Sequence, residues 1–264
     1  MTRGDYHMHT TFCDGKSAPE EMVQSALEKG LTRMGFSIHA EEFSPRGPRN
    51  PAVMTAYRAE IARLKEKYRD RIEILCGAES DYYFPANKDD FDYTLGSVHY
   101  LNTPEGLVPV DSKREILLDA AKKYYGNDFY RIAEEYFATV ARLVDIRPDI
   151  IGHFDLITKY NEGNVLFDSE HPRYLAAAFA AVDALLPLGV PFEINTGAIS
   201  RGLRTSPYPA PPILRYILAH GGKVVLCSDS HAAQNVAFAF DNWKALVGKE
   251  DWYDHRLIGK KFLM

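Results

Sequence analysis

Asp5-Tyr6-His7-Met8-His9-Thr10-Thr11, continuing as Phe12-Cys13-Asp14-Gly15, is the stretch around which the chain is organised. Read as a strand over residues 5–9, it sets His7 and His9 on one face and Tyr6 and Met8 on the other, because side chains alternate along a strand. Two imidazoles on one face hold a divalent ion only if other segments complete the donor set. The next segment, Ser17-Ala18-Pro19-Glu20, reads as a capping box with Ser17 as N-cap and Glu20 at N3. Met22, Val23, Ala26 and Leu27 then form an apolar helical face that ends at Gly30. The histidines thus close a strand that feeds a helix, the place where barrel enzymes collect their chemistry.

The same unit recurs along the chain. Residues 33–39 form a strand ending at His39, and a Pro/Arg-rich loop leads to a helix over 52–68. The strand over 72–78 finishes at Glu79, the strand over 93–99 ends at His99, and the strand over 149–153 ends at His153. A long connection with helical patterns over 113–124 and 128–144 separates the last two. A helix over 172–187, a strand over 191–195, a helix over 212–220 and a strand over 223–231 complete the pattern, the last strand carrying Asp229 and His231 in the i, i+2 relation of the opening pair.

Strands alternating with helices specify an α/β fold with a parallel sheet. Only a closed barrel gathers donors from six strand ends around one point; an open sheet would spread them along an edge. The expectation is a distorted seven-stranded (β/α)7 barrel forming a single domain over residues 1–264, a length that suits a fold of about 250 residues.

Composition narrows the function. A net charge of −5 provides no basic field for a nucleic-acid polymer. Three cysteines with no Cys-x-x-Cys pair imply neither a disulfide framework nor a zinc ribbon, which suits the cytoplasm. No targeting segment and no membrane-spanning apolar run is found. His171, His220 and His255 lack the strand-end setting and read as structural, with His220 in the last turn of a helix where a cation is favoured.

With these motifs in hand, the chain resembles the PHP (polymerase and histidinol phosphatase) superfamily. The resemblance rests on His7-x-His9 with Asp14-Gly15, His39, Glu79, Gly-Ser-Val-His99, Gly-His153 and Ser228-Asp229-Ser230-His231. It implies a distorted seven-stranded barrel with three divalent metal ions, zinc, manganese or iron, at its C-terminal mouth. Carried over by position, His7, His9, Glu79 and Asp229 would hold one ion, Glu79, His99 and His153 a second, and Asp14, His39 and His231 the third. Ile38 stands where the family usually has an Asp, which weakens the third site. Asp14 stands where some members have histidine, and its harder oxygen favours manganese or iron there. The segments Glu193-Ile194-Asn195-Thr196-Gly197 and Leu226–His231 most resemble the stand-alone histidinol-phosphate phosphatases.

The implied reaction is hydrolysis of a small phosphate monoester, L-histidinol phosphate, with metal ions activating water. The other phosphatase routes lack their motifs, since no cysteine is followed by an arginine six residues later and no Asp-x-Asp-x-Thr occurs. Arg201 and Lys159 are the expected phosphate-binding cations, ahead of Arg204, Arg46 and Arg49, and Asp229 can serve as ligand or as acid for the leaving alkoxide. Glu41, Glu42, Tyr160 and Phe167 lie in loops suited to the rest of the substrate. A PHP phosphoesterase for another ester, nucleotide or phosphotyrosyl peptide, and a non-catalytic metal-binding module, are the competing readings; the oligomeric state stays open.

Overall fold

The computed structural model describes residues 4–40 and 50–243. In chain order the elements that matter are β1 (Gly4–Asp5), α1 (Pro19–Glu28), β2 (Arg33–His39), α2 (Pro51–Tyr68), β3 (Glu73–Asp81) and β4 (Tyr93–Ser97). A hairpin follows, β5 (Tyr100–Thr103) with β6 (Gly106–Pro109), then α3 (Arg114–Tyr124), α4 (Phe129–Ala141), α5 (Leu143–Ile146) and β7 (Ile150–Ile151). The chain continues through α6 (Pro172–Leu185), β8 (Phe192–Asn195), α7 (Gly197–Ser200), α8 (Pro211–Ala219) and β9 (Val224–Cys227).

Seven parallel strands hydrogen-bond in the order β1-β2-β3-β4-β7-β8-β9. The ring nearly closes beyond β1, where Met8 bridges Ser230 through His9 N–H to Ser230 O at 2.8 Å and Ser230 N–H to His7 O at 3.1 Å. The buried Asp5 carboxylate fastens the same seam by accepting the Ser228 N–H at 3.0 Å and the Ala237 N–H at 2.9 Å. The α/β barrel expected from the strand-end donors is the fold observed.

Two layers of packing flank the strands. Met34, Phe36 and Ile38 of β2 and Ile74, Cys76 and Ala78 of β3 pack outward with Met22, Val23, Tyr57, Ile61 and Leu64 of α1 and α2. Inside, Tyr6, Leu75, Tyr93, Leu95, Ile150, Val225 and Cys227 form one cluster drawn from the first strand segment and from β3, β4, β7 and β9. Tyr93 fills much of that space and donates its hydroxyl to Phe36 O at 3.1 Å. It fits because β2 and β3 present glycines to it: a Cβ on Gly35 or Gly77 would lie 2.3 or 2.2 Å from the Tyr93 ring or hydroxyl.

Three local expectations are corrected. Tyr6 does not share a face with Met8. Met8 joins the outer layer, whereas Tyr6 packs edge-on against Tyr93 at 6.2 Å, so regular alternation holds over His7, Met8 and His9 but breaks before them. The helix cap is shifted by one residue, because Pro19 takes the first helical position. Ala18 is the N-cap, Glu21 rather than Glu20 reaches back to its N–H at 2.7 Å, and Ser17 Oγ accepts instead from Ala233 N–H at 3.0 Å. Glu20 is thereby free to bind Arg63 and Tyr68 of α2, each at 2.8 Å. Finally, β3 runs through Glu79 to Asp81, and the long connection after His99 contains the β5–β6 hairpin, whose register is set by local pairing that no apolar alternation announced.

Gly77→Ala should destabilise the fold by about 1–3 kcal/mol, the cost of overpacking a full core. Chemical denaturation of the variant against the parent measures it, and an unchanged midpoint would show that Tyr93 can move aside.

Candidate metal centre

Register builds the centre. Pairing of β2 with β3 sets His39 directly beside Glu79, and Asp81 two residues on faces the same way as Glu79. His7 and His9 arrive from the neighbouring β1 segment, His99 follows β4, His153 follows β7, and Asp229 and His231 follow β9. Asp14 comes from the turn after the first strand, where Gly15 is packed so closely on His9 that a Cβ would lie 2.5 Å from its carbonyl.

Glu79 stands at the centre, 1% exposed. Its Oε1 lies 2.8 Å from His153 Nε2 and 3.1 Å from His99 Nε2. Its Oε2 lies 3.3 Å from His7 Nε2, 3.4 Å from His9 Nε2 and 3.1 Å from His39 Nδ1. Asp229 Oδ1 approaches His7 Nε2 at 3.7 Å, and His9 Nε2 and His231 Nδ1 at 3.5 Å each. Asp14 Oδ2 lies 3.4 Å from both His39 Nε2 and His231 Nε2, with Oδ1 3.7 Å from His9 Nδ1. The nine side chains singled out in the sequence therefore converge. Three groups have donor atoms close enough to share an ion: His7, His9 and Glu79; Glu79, His99 and His153; and His9, Asp14, His39 and His231.

The donor chemistry fits divalent cations. His7 Nε2 and His9 Nε2 face each other at 3.1 Å with carboxylate oxygens beside both, and His39 turns Nδ1 to Glu79 at 3.1 Å and Nε2 to Asp14 at 3.4 Å. Such converging lone pairs are what a metal satisfies. Burial alone would raise the Glu79 pKa, but His7, His99 and His39 hold it well below the usual carboxylate range. Burial disfavours a proton on His7, yet Glu193, Glu79 and Asp229 outweigh it and raise its pKa well above that of free imidazole. His99 is raised against burial by Glu79 and Asp81 in the same way, while burial and the neighbouring His231 and His39 push His9 well below. Negative charge is thus fixed at Glu79, and cations must balance it.

Two orienting groups escaped the sequence reading. Glu193 Oε1 lies 2.6 Å from His7 Nδ1, and Asp81 Oδ2 lies 3.1 Å from His99 Nδ1, each leaving the opposite ring nitrogen to face the centre. Asp81 could have been found from its i+2 spacing to Glu79, whereas Glu193 carried no sign of its target. Ile38 is buried in the outer layer, and among the described residues His39 has only the ligand carboxylates of Glu79 and Asp14 beside its ring nitrogens.

Among the expected cations, Arg201 is beside the centre. Its Nη2 donates to Asp229 Oδ2 at 3.0 Å and its Nη1 to Asp229 O at 3.2 Å, with His231 Nδ1 at 3.3 Å. Lys159 Nζ donates to Asp111 O at 2.6 Å, and the Asp111 charge is felt by both His99 and Arg201. Arg204 is turned away, over the Tyr208 ring at 4.6 Å and bonded to Ser206 O at 3.3 Å. Phe167 belongs to the hydrophobic core rather than to a substrate loop, because it stacks on Phe129 and packs on Tyr174. Tyr160 donates to Asp111 O and Ser112 O at 2.9 Å. Arg46, Arg49, Glu41, Glu42 and His255 lie outside the described residues. His171 caps α6 by accepting Arg173 N–H at 3.2 Å, and His220 Nδ1 sits 2.8 Å from Tyr216 O, as suits structural histidines. No disulfide links the cysteines, and Cys13 Sγ lies 3.5 Å from His9 Nδ1.

A family model described as the PHP domain matches residues 5–197. The chain belongs to the PHP domain family. Within it, a Schizosaccharomyces pombe protein named probable histidinol-phosphatase is 28% identical over 92% of this chain and 85% of its own length. The Bacillus subtilis histidinol-phosphatase is 26% identical over 91% of this chain and 98% of its own. The solved histidinol phosphate phosphatase of Lactococcus lactis, complexed with zinc, L-histidinol and phosphate, superposes with a TM-score of 0.71 at 20% identity, covering 96% of this chain and 95% of that one.

Glu79→Ala removes the donor shared by two of the three groups. The variant should retain its far-UV circular dichroism but lose most of its bound divalent metal by elemental analysis; full metal content would deny Glu79 a bridging place.

Proposed function

We propose that this PHP protein is a metal-dependent phosphomonoesterase that hydrolyses L-histidinol phosphate to L-histidinol and phosphate. The observation that carries the reading is the cluster of imidazoles around Glu79 with the Arg201 guanidinium at its edge, in a chain whose full-length relatives are histidinol-phosphatases. The same geometry supports three ions. His7, His9, Glu79 and Asp229 would hold one, Glu79, His99 and His153 a second, and Asp14, His39 and His231, with His9 alongside, the third. The zinc of the Lactococcus protein favours zinc, and the Asp14 oxygen admits manganese or iron at the third position. Ions held there supply Lewis acidity toward the phosphoryl oxygens and lower the pKa of water.

The chain's own groups do the rest. Arg201 presents a planar pair of donors that suits two phosphoryl oxygens, and its bonds to Asp229 hold the guanidinium in place before substrate arrives. Lys159 stands by Asp111 as the second positive charge for the phosphoryl group. Asp229 is kept ionised against burial by Arg201 and His7, which suits a ligand and leaves it without a proton to give the leaving alkoxide. Its backbone φ of 46° is unusual outside glycine and aims the carboxylate back at Arg201. Water attacks phosphorus, the P–O ester bond breaks, and the alcohol leaves with a proton. Three cysteines with no disulfide between them suit a cytoplasmic setting, and no helix among the described residues is long and apolar enough to cross a membrane.

Protein loaded with zinc or manganese should release phosphate from L-histidinol phosphate, and a chelator should stop it. Absence of release from folded, metal-replete protein would remove this substrate, and turnover of nucleotide or phosphotyrosyl esters would then identify the competing phosphoesterase.

Arg201→Ala should raise KM for the phosphate ester about 10–100-fold, since a hydrogen bond to a charged group contributes about 1.5–3 kcal/mol. Steady-state kinetics on the metal-loaded variant tests this, and an unchanged KM would assign the phosphate to another cation.

A further inference from the structure

The segment Glu193-Ile194-Asn195-Thr196-Gly197 does more than orient one histidine. Glu193 and Asn195 are both fully buried on β8. Glu193 Oε1 takes His7 Nδ1 at 2.6 Å, while Oε2 accepts the His153 backbone N–H at 2.6 Å and Asn195 Nδ2 at 3.0 Å. Asn195 passes the link onward, because its Oδ1 accepts the Gly197 N–H at 2.8 Å, at the first residue of α7. Arg201 immediately follows that helix and returns to Asp229. The backbone at Gly197 is pressed against this pair: a Cβ there would lie 2.8 Å from Asp229 Oδ2 and 2.9 Å from Arg201 Nη2. A shift of Gly197 is therefore a shift of Arg201.

We propose that Glu193 and Asn195 form a positioning relay that holds the His7 and His153 metal ligands and the phosphate-binding Arg201 in one register. Neither residue touches the substrate. Glu193 anchors the metal side and Asn195 carries the constraint to the anion side. The carboxylate is required at its position because both oxygens face donors, and a glutamine of the same shape has only one acceptor and would turn its NH2 toward a donor in either orientation. The relay also accounts for the polar Glu-x-Asn pattern inside an otherwise apolar strand. It rests on Arg201 being the phosphate ligand but not on which ester is hydrolysed.

The test compares Glu193→Gln and Asn195→Ala with the parent, all loaded with zinc. Metal retention is read by elemental analysis after dialysis against a competing chelator, and anion affinity by calorimetric titration with inorganic phosphate. Glu193→Gln should weaken retention of the ion at His7 about 10–100-fold, the usual effect of removing a partner that orients a metal ligand. Asn195→Ala should retain metal as the parent does but bind phosphate about 10-fold more weakly, because a misplaced cation loses its geometry. Parent-like metal retention and phosphate affinity in both variants would overturn the relay. So would an Asn195→Ala protein that loses metal and phosphate affinity together, which would mark general loosening. If Glu193→Gln does not fold, the split between metal and phosphate in Asn195→Ala decides alone. Because inorganic phosphate is the probe, failure to hydrolyse histidinol phosphate leaves this result standing.

Discussion

The structure depends on the ionised Glu79 carboxylate, buried among five imidazoles. Removing one carboxylate from water costs several kcal/mol unless positive charge and hydrogen bonds replace the solvent. Glu79 meets that requirement on both oxygens, with His99 and His153 on one and His7, His9 and His39 on the other. A cluster so arranged is stable only with cations or protons among its donors. The barrel is what makes the cluster possible, since the five histidines come from four strand ends, which an open sheet would spread along its edge.

The barrel's interior divides accordingly. Tyr6, Tyr93, Leu75 and Leu95 fill one part with apolar mass, while the ends of the same strands carry the charged centre. The two glycines that admit Tyr93 belong to the strands that pair His39 with Glu79, so packing and ligand register are set by the same ladder. A substitution that forces this ladder apart disturbs the site without touching a ligand.

Around the ligands, the orienting groups differ in kind. His7 has Glu193 and His99 has Asp81, both carboxylates at hydrogen-bond distance, whereas among the described residues His9 has the Cys13 sulfur at 3.5 Å and His39 has ligand carboxylates on both ring nitrogens. The donor groups containing His7 and His99 are therefore the better preorganised, and the group containing Asp14, half exposed, is the more open. That gradient runs from the barrel interior toward solvent, and Arg201 stands on its outer side.

Much of this was legible in the residues alone. Period-two and helical patterns specified the strand–helix alternation, and histidines and acids recurring at strand ends pointed to closure and to the centre, because strand direction and side-chain alternation are local properties. Local reading failed where distant contacts compete: Tyr6 left its face to pack on Tyr93, Ser17 gave up the helix cap to bind Ala233, and Phe167 went to the core. The partners of Glu193 and Asp81 depended on which strands became neighbours. The sequence determined which side chains were available and at which strand ends. Tertiary structure decided which atoms met, since that depends on register and closure between segments as far apart in sequence as Asp5 and Ala237, separated by 232 positions.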